Sequence, residues 1–150
     1  VQMEGLEDLY QDIILDHHRN PRNRQVLEQP DLEARGFNPF CGDQINLTAI
    51  LTSNGKVKEI GLEGEGCAIS QASASIMSEL IKGKDLDEIQ NLSHLFNKLM
   101  QGKEVTLEEQ DALGELAVLE GVKNFPVRIK CALLGWSTLE DAINEHNKHN

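Results

Sequence analysis

Residues 57–81 read VKEIGLEGEGCAISQASASIMSELI, and within this stretch the hydrophobic spacing changes its period. Up to Glu65 the chain reads as a strand with Ile60 and Leu62 on its buried face. Beyond Cys67, the residues Ile69, Ala72, Ile76, Met77, Leu80 and Ile81 recur at helical spacing, and Gly83 stands where a C-terminal cap belongs. A strand therefore hands over to a helix through Gly64-Glu65-Gly66-Cys67. Upstream, Ile45, Leu47, Ala49 and Leu51 alternate with Asn46, Thr48 and Ile50, and Ser53-Asn54-Gly55-Lys56 supplies the Asn-Gly pair of a tight hairpin. An earlier edge strand within Leu32 to Phe37 is weakly signalled. An amphipathic helix is predicted over Leu6 to His18, with Leu6, Leu9, Tyr10, Ile13, Ile14 and His17 on one stripe. Downstream, helices are predicted over Asp85 to Met100 and over Leu107 to Glu120, the latter opened by the capping-box pair Thr106 and Glu109. Pro126 opens another helix carrying Ile129, Leu133 and Leu134, and Ser137 with Glu140 signals a last one to about His146. Helix, hairpin-rich sheet and helices, with no repeat or linker, predict one α+β domain over residues 1–150: a small antiparallel sheet covered by helices.

The chain has 150 residues, 14 Lys plus Arg against 25 Asp plus Glu, a formal charge of -11, and three cysteines. A domain of this size buries roughly two-thirds of its unfolded surface and needs no disulfide staples. The negative charge argues against nucleic acid or an anionic membrane as partner, since both need concentrated positive charge. No apolar run approaches the roughly 20 residues of a membrane span, and VQMEGLEDLY lacks a signal-peptide layout, so a cytoplasmic location is expected. Against this background Arg19, Arg22 and Arg24 gather just beyond the first helix. They read either as a charged helix exit, favourable with the dipole, or as a docking patch for an acidic partner. In a reducing compartment the cysteines are buried thiols, reactive thiols or metal ligands.

Cys41 lies in Asn38-Pro39-Phe40-Cys41-Gly42-Asp43, whose turn-forming residues suit an exposed loop better than a core. Asp43 can direct its carboxylate to the same side. Cys67 precedes a helix, where backbone N–H groups favour a thiolate, and Cys131 is flanked by Arg128 and Lys130, which also favour one. Each cysteine taken alone is about as well explained by packing. Their spacing matches no short metal motif. However, Cys41 and Cys67 border the entrance and exit of the hairpin, which are neighbours. If the chain returns to bring Cys131 there, three thiolates and Asp43 make a site suited to zinc, with iron-sulfur ligation or copper as softer alternatives. The histidines, His17, His18, His94, His146 and His149, fall on or beyond amphipathic helices and are read as surface or half-buried structural residues.

Three ordered blocks carry a family resemblance: Asn38 to Asp43, Glu63-Gly64-Glu65-Gly66-Cys67-Ala68-Ile69-Ser70 with Ala72-Ser73-Ala74-Ser75, and Phe125-Pro126-Val127-Arg128-Ile129-Lys130-Cys131. With Leu9-Tyr10, Asp16-His17 and Asn20-Pro21-Arg22-Asn23 they make the chain resemble the iron-sulfur cluster assembly scaffold proteins (IscU-like, NifU N-terminal-like), and among them the SufU type, over roughly Leu6 to Ile143. The resemblance implies a SufE/IscU-like fold and a ligand set of Cys41, Asp43, Cys67 and Cys131 for zinc. It further implies that Cys41 accepts persulfide sulfur from a PLP-dependent, SufS-like cysteine desulfurase once a partner histidine replaces it on the metal. Arg128, as an auxiliary, and Lys130 read either as charges that steady the freed thiolate or steer the partner, or as ordinary solvated charges at a helix start. Downstream iron-sulfur assembly proteins would be the recipients. Departures set the subtype. Lys130 stands where IscU-type scaffolds carry histidine, and a protonated lysine is a poor ligand. The Leu-Pro-Pro-Val-Lys type of segment recognised by a dedicated chaperone is replaced by Asn124-Phe125-Pro126-Val127-Arg128, and the region from about Gly83 to Gly121 looks longer. The alternative implied by the same family is a scaffold on which a transient [2Fe-2S] cluster is built and donated. A third reading is a structural zinc domain that only mediates contacts.

Overall fold

The computed structural model describes residues 12–149. Leu6, Leu9 and Tyr10 of the first predicted helix lie outside the described residues. Within them, α1 (Asp12–Arg19) buries Ile14 and His17. His17, expected at the surface or half-buried, is 2% exposed and hydrogen-bonded to Ser75 Oγ at 2.7 Å and Glu115 Oε1 at 3.2 Å.

β1 (Leu32–Asn38), β2 (Asp43–Leu51) and β3 (Val57–Glu65) form one antiparallel sheet in the order β1-β2-β3. Phe37 faces Gln44 across the first pair, and Gln44 faces Glu65 across the second. This register aligns the end of β1, the start of β2 and the end of β3 at one edge of the domain. The free side of β3 is covered by the loop after α1. The Leu62 N–H donates to Asn23 O at 2.9 Å, Arg24 Nη2 to Gly64 O at 2.9 Å, and Gln25 Nε2 to Ile60 O at 3.2 Å. Pairing these groups removes an exposed sheet edge.

α2 (Ala68–Leu80) follows, with Ile69, Ala72, Ala74, Ile76 and Met77 buried, and the chain then turns at Gly83 with φ of +82°. α3 (Leu86–Met100) opens on a capping box between Asp85 and Glu88. α4 (Leu107–Leu113) opens on the predicted Thr106 and Glu109 box but ends seven residues into the expected helix, because Gly114 takes a φ of +57°. The chain continues as a 3-10 helix, Gly114–Asn124, that still buries Leu116, Leu119 and Val122. α5 (Pro126–Lys148) is one helix where two were expected. Ser137 Oγ donates back to Leu134 O at 3.1 Å, so the side chain that resembles a cap serves the helix interior and the helix runs on.

α5 packs against both β1 and α2. At Gly36 an added Cβ would collide with Thr138 Oγ1, and at Gly135 it would meet Ala74 Cβ at 3.2 Å, so two glycines set the spacing on either side of the helix. Trp136 is fully buried against Phe96, with ring centroids 6.1 Å apart. The architecture is α+β, three antiparallel strands under a helical layer, as the hydrophobic periods predict. Its consequence for chemistry is positional: the start of α5 lies where β1 hands over to β2.

Candidate metal centre

Asn38 closes β1, Asp43 opens β2, and the intervening turn includes Gly42 at a φ of +67°, with open space around it. Asp43 is 0% exposed. Its Oδ1 accepts the Cys67 N–H at 2.8 Å, tying the first residue of β2 to the N-terminus of α2. Gly66 makes this approach possible, since an added Cβ would stand 2.5 Å from both Asp43 Oδ1 and Ser70 Oγ. Cys67 occupies the N-cap position of α2, with its Sγ 3.9 Å from Asp43 Oδ2 and 3.8 Å from Ser70 Oγ. Cys131, in the second turn of α5, is fully buried with its Sγ 2.9 Å from Cys41 Sγ.

The ligand atoms of Cys41, Asp43 and Cys131 all lie within 4.8 Å of one another. Cys67 borders this trio through Asp43 without joining the mutually close set. Arg128 Nη1 donates to Cys41 Sγ at 3.9 Å. Asn38, 4% exposed, donates from Nδ2 to Cys131 Sγ at 3.5 Å and accepts the Phe40 N–H on Oδ1 at 3.2 Å. Sequence reasoning singled out neither Asn38 nor Gly66. The available signal for both was adjacency, since each sits in the same short block as a cysteine.

Electrostatics follow from burial and crowding. Burial, followed by the hydrogen bond with Cys41 and the negative charge of Cys67, pushes the Cys131 thiol far above the ordinary thiol range. For Arg128 burial works against the charge, but the charge of Cys67 and the hydrogen bond with Cys131 outweigh it and hold the guanidinium protonated more firmly than an ordinary arginine. The fully buried Asp43 carboxylate makes no ion pair with a basic side chain among the described residues; it lies against the N–H and thiol of Cys67 and the thiol of Cys131. A buried carboxylate beside converging thiols calls for a compensating cation, and a sulfur-rich set with one oxygen fits zinc.

The site opens to solvent through a groove of about 580 Å3 lined by Phe40, Cys41, Cys67 and residues 124–128. Phe40 is 72% and Val127 65% exposed at its rim. The arginines after α1 are committed elsewhere: Arg22 pairs with Asp16 at 2.6 Å and Arg24 binds Gly64 O and Gln71 Oε1. That favours the structural reading of the cluster over a docking patch. Among the described residues no helix is long and apolar enough to cross a membrane.

Residues 9–132 match the NifU-like N-terminal domain family. The chain is 45% identical over 139 residues to the zinc-dependent sulfurtransferase SufU of Bacillus subtilis, covering 93% of this chain and 92% of that protein. It is 37% identical over 142 residues to the iron-sulfur cluster assembly scaffold protein IscU of Streptococcus pyogenes, covering 94% of this chain and 86% of that one. Among solved structures, a putative iron-sulfur cluster assembly scaffold protein for the SUF system from Fervidobacterium islandicum superposes with a TM-score of 0.84 at 35% identity, covering 90% of this chain and 96% of that one. With one family matched over most of its length and full-length relatives on both the SufU and IscU sides, the chain belongs to the NifU-like N-terminal domain family of iron-sulfur cluster assembly proteins.

Proposed function

We propose that the protein is a zinc-dependent sulfurtransferase that accepts persulfide sulfur from a PLP-containing, SufS-like cysteine desulfurase and passes it toward iron-sulfur cluster assembly in the cytoplasm. The observation that carries this reading is the convergence of Cys41, which lines an open groove, with the buried Asp43 and Cys131. The 45% identity to a protein named for this activity supports it.

Cys41, Asp43, Cys67 and Cys131 would hold a zinc ion, and Cys41, the one of them facing Arg128 at the groove, would be the thiol freed for chemistry. Bound zinc would keep the thiols anionic and balance the buried carboxylate. Cys41 is half-buried at the groove and faces Arg128, so its thiolate is both reachable and paired with a fixed positive charge. It attacks the outer sulfur of the donor persulfide. The Cys41 sulfur-sulfur bond forms as the donor's own breaks, and the donor cysteine departs as a thiolate, with no net oxidation or reduction. Arg128 steadies the attacking thiolate. Arg128 in the groove lining and Lys130 over the Phe40 ring form a cationic pair suited to steering an acidic partner surface.

The test is direct. The purified protein should carry about one zinc per chain. Mixing it with desulfurase and cysteine should add one sulfur atom, mapped by mass spectrometry to Cys41. Cys41→Ser should abolish uptake while preserving the fold. Full turnover by Cys41→Ser would overturn the assignment. The IscU relative, 37% identical, supports a second reading, a scaffold for a [2Fe-2S] cluster. Binding of iron and sulfide, without sulfur uptake from the desulfurase, would favour it instead.

A further inference from the structure

The segment carrying Cys41 is fixed at both ends; between them Cys41 meets Cys131 and Arg128 on the inner side, and an exposed contact holds its neighbour Phe40 on the outer side. Asn38 is 4% exposed, with both ends of its side chain hydrogen-bonded, and Asp43 is 0% exposed. Between them Gly42 has a φ of +67° and nothing near it. Phe40, 72% exposed, lies with its ring centroid 4.9 Å from Lys130 Nζ. Lys130 immediately precedes Cys131 on α5, so one helical turn sends a thiol inward to meet Cys41 and an ammonium outward to meet the neighbour of Cys41.

We propose that Lys130 is a positioning residue, whose cation–π contact with Phe40 latches the turn that carries Cys41 against α5. Asn38 and Asp43 are the fixed ends, and the Phe40–Lys130 contact is the part that opens when Cys41 moves. An exposed cation–π contact is weak enough to break on docking and strong enough to bias a short turn. The proposal rests on the reading of Cys41 as the thiol freed for chemistry, and it gives a role to the lysine that stands where IscU-type scaffolds carry histidine.

The test is hydrogen–deuterium exchange of the amides of residues 40–42 in the full chain, with and without zinc. Lys130→Met and Phe40→Leu should each speed exchange of this segment about two- to fivefold. The double variant should go no further than either single one, and Lys130→Arg, which keeps the cation, should exchange like the parent protein. Lys130→Met exchanging at the parental rate, or its effect persisting undiminished in the Phe40→Leu background, would overturn the latch. Exchange does not depend on sulfur chemistry. A turn that loosens as described while Cys41 takes up no sulfur would defeat the acceptor reading alone, and unchanged exchange with normal uptake would defeat the latch alone.

Discussion

Gly66 tolerates no side chain, because a Cβ there would stand 2.5 Å from both Asp43 Oδ1 and Ser70 Oγ. Gly66→Ala must displace the carboxylate that receives the Cys67 N–H. Its expected effect is a loss of about 1–3 kcal/mol of stability together with weakened zinc retention, measured by chemical denaturation and chelator competition. Arg128 makes a different prediction, since it faces Cys41 without contributing a ligand atom. Arg128→Met should lower the rate of sulfur uptake about tenfold, one pKa unit's worth of electrostatic stabilisation, at unchanged zinc content. Cys131 adds a proton to the account: its thiol is held protonated by burial and by its neighbours, so if it ligates a metal as proposed, binding would release that proton to solvent. Affinity should therefore fall as the pH is lowered, and calorimetry in buffers of different ionisation heat should detect proton release on binding.

At the scale of elements, Gly36 sets how closely β1 approaches α5, because an added Cβ would collide with Thr138 Oγ1 and stand 3.1 Å from Leu134 Cδ1. Gly36→Ala should cost about 1–3 kcal/mol in thermal or urea unfolding, and Thr138→Ser in the same chain should not relieve it, since the colliding oxygen remains. The elements differed in how plainly the sequence announced them. β2, β3 and α2 follow from a clean change of hydrophobic period, and the capping boxes at Asp85 and Thr106 mark two helix starts. β1 was faint because its inward positions after Leu32 are the small Ala34 and Gly36 and the polar Asn38, while its one aromatic, Phe37, faces solvent; pairing with β2 and packing under α5 stabilise it. Ser137 and Glu140 imitate a helix start inside α5, and only tertiary packing shows that the serine bonds backward. The end of α4 depended on the conformation of Gly114, which local sequence does not specify. The site was legible only in part. Hairpin geometry brings Asp43 and Cys67 together, but the return of Cys131 depends on the path of α5, for which spacing offered no guide and the family resemblance did.

Across the whole molecule, three carboxylates tie separate segments together and give stability an acid dependence. Asp16 is held below its ordinary 3.8 chiefly by Arg22, and Glu79 and Glu109 below their ordinary 4.5 chiefly by Asn23 and by the Thr106 backbone. In each case the folded state binds its proton less readily than the unfolded state. Their contribution is therefore present at neutral pH and lost as the pH falls through the lowered values. The urea midpoint should hold from neutrality to about pH 5 and then decline, with Asp16→Asn reducing both the neutral-pH stability and the acid slope. A rise in stability on acidification below pH 4 would contradict this assignment.

Cys41 and Cys131 approach to 2.9 Å although 90 positions separate them, and Asp43 reaches Cys67 across only 24. During synthesis the sheet and α2 emerge well before the first turns of α5. A nascent chain thus displays two thiols and a carboxylate at the sheet edge but cannot enclose an ion until its last helix docks. If these residues hold a metal as proposed, its full ligand set assembles late in maturation, and a chain stalled before residue 131 would lack one of the ligands and hold an ion more weakly.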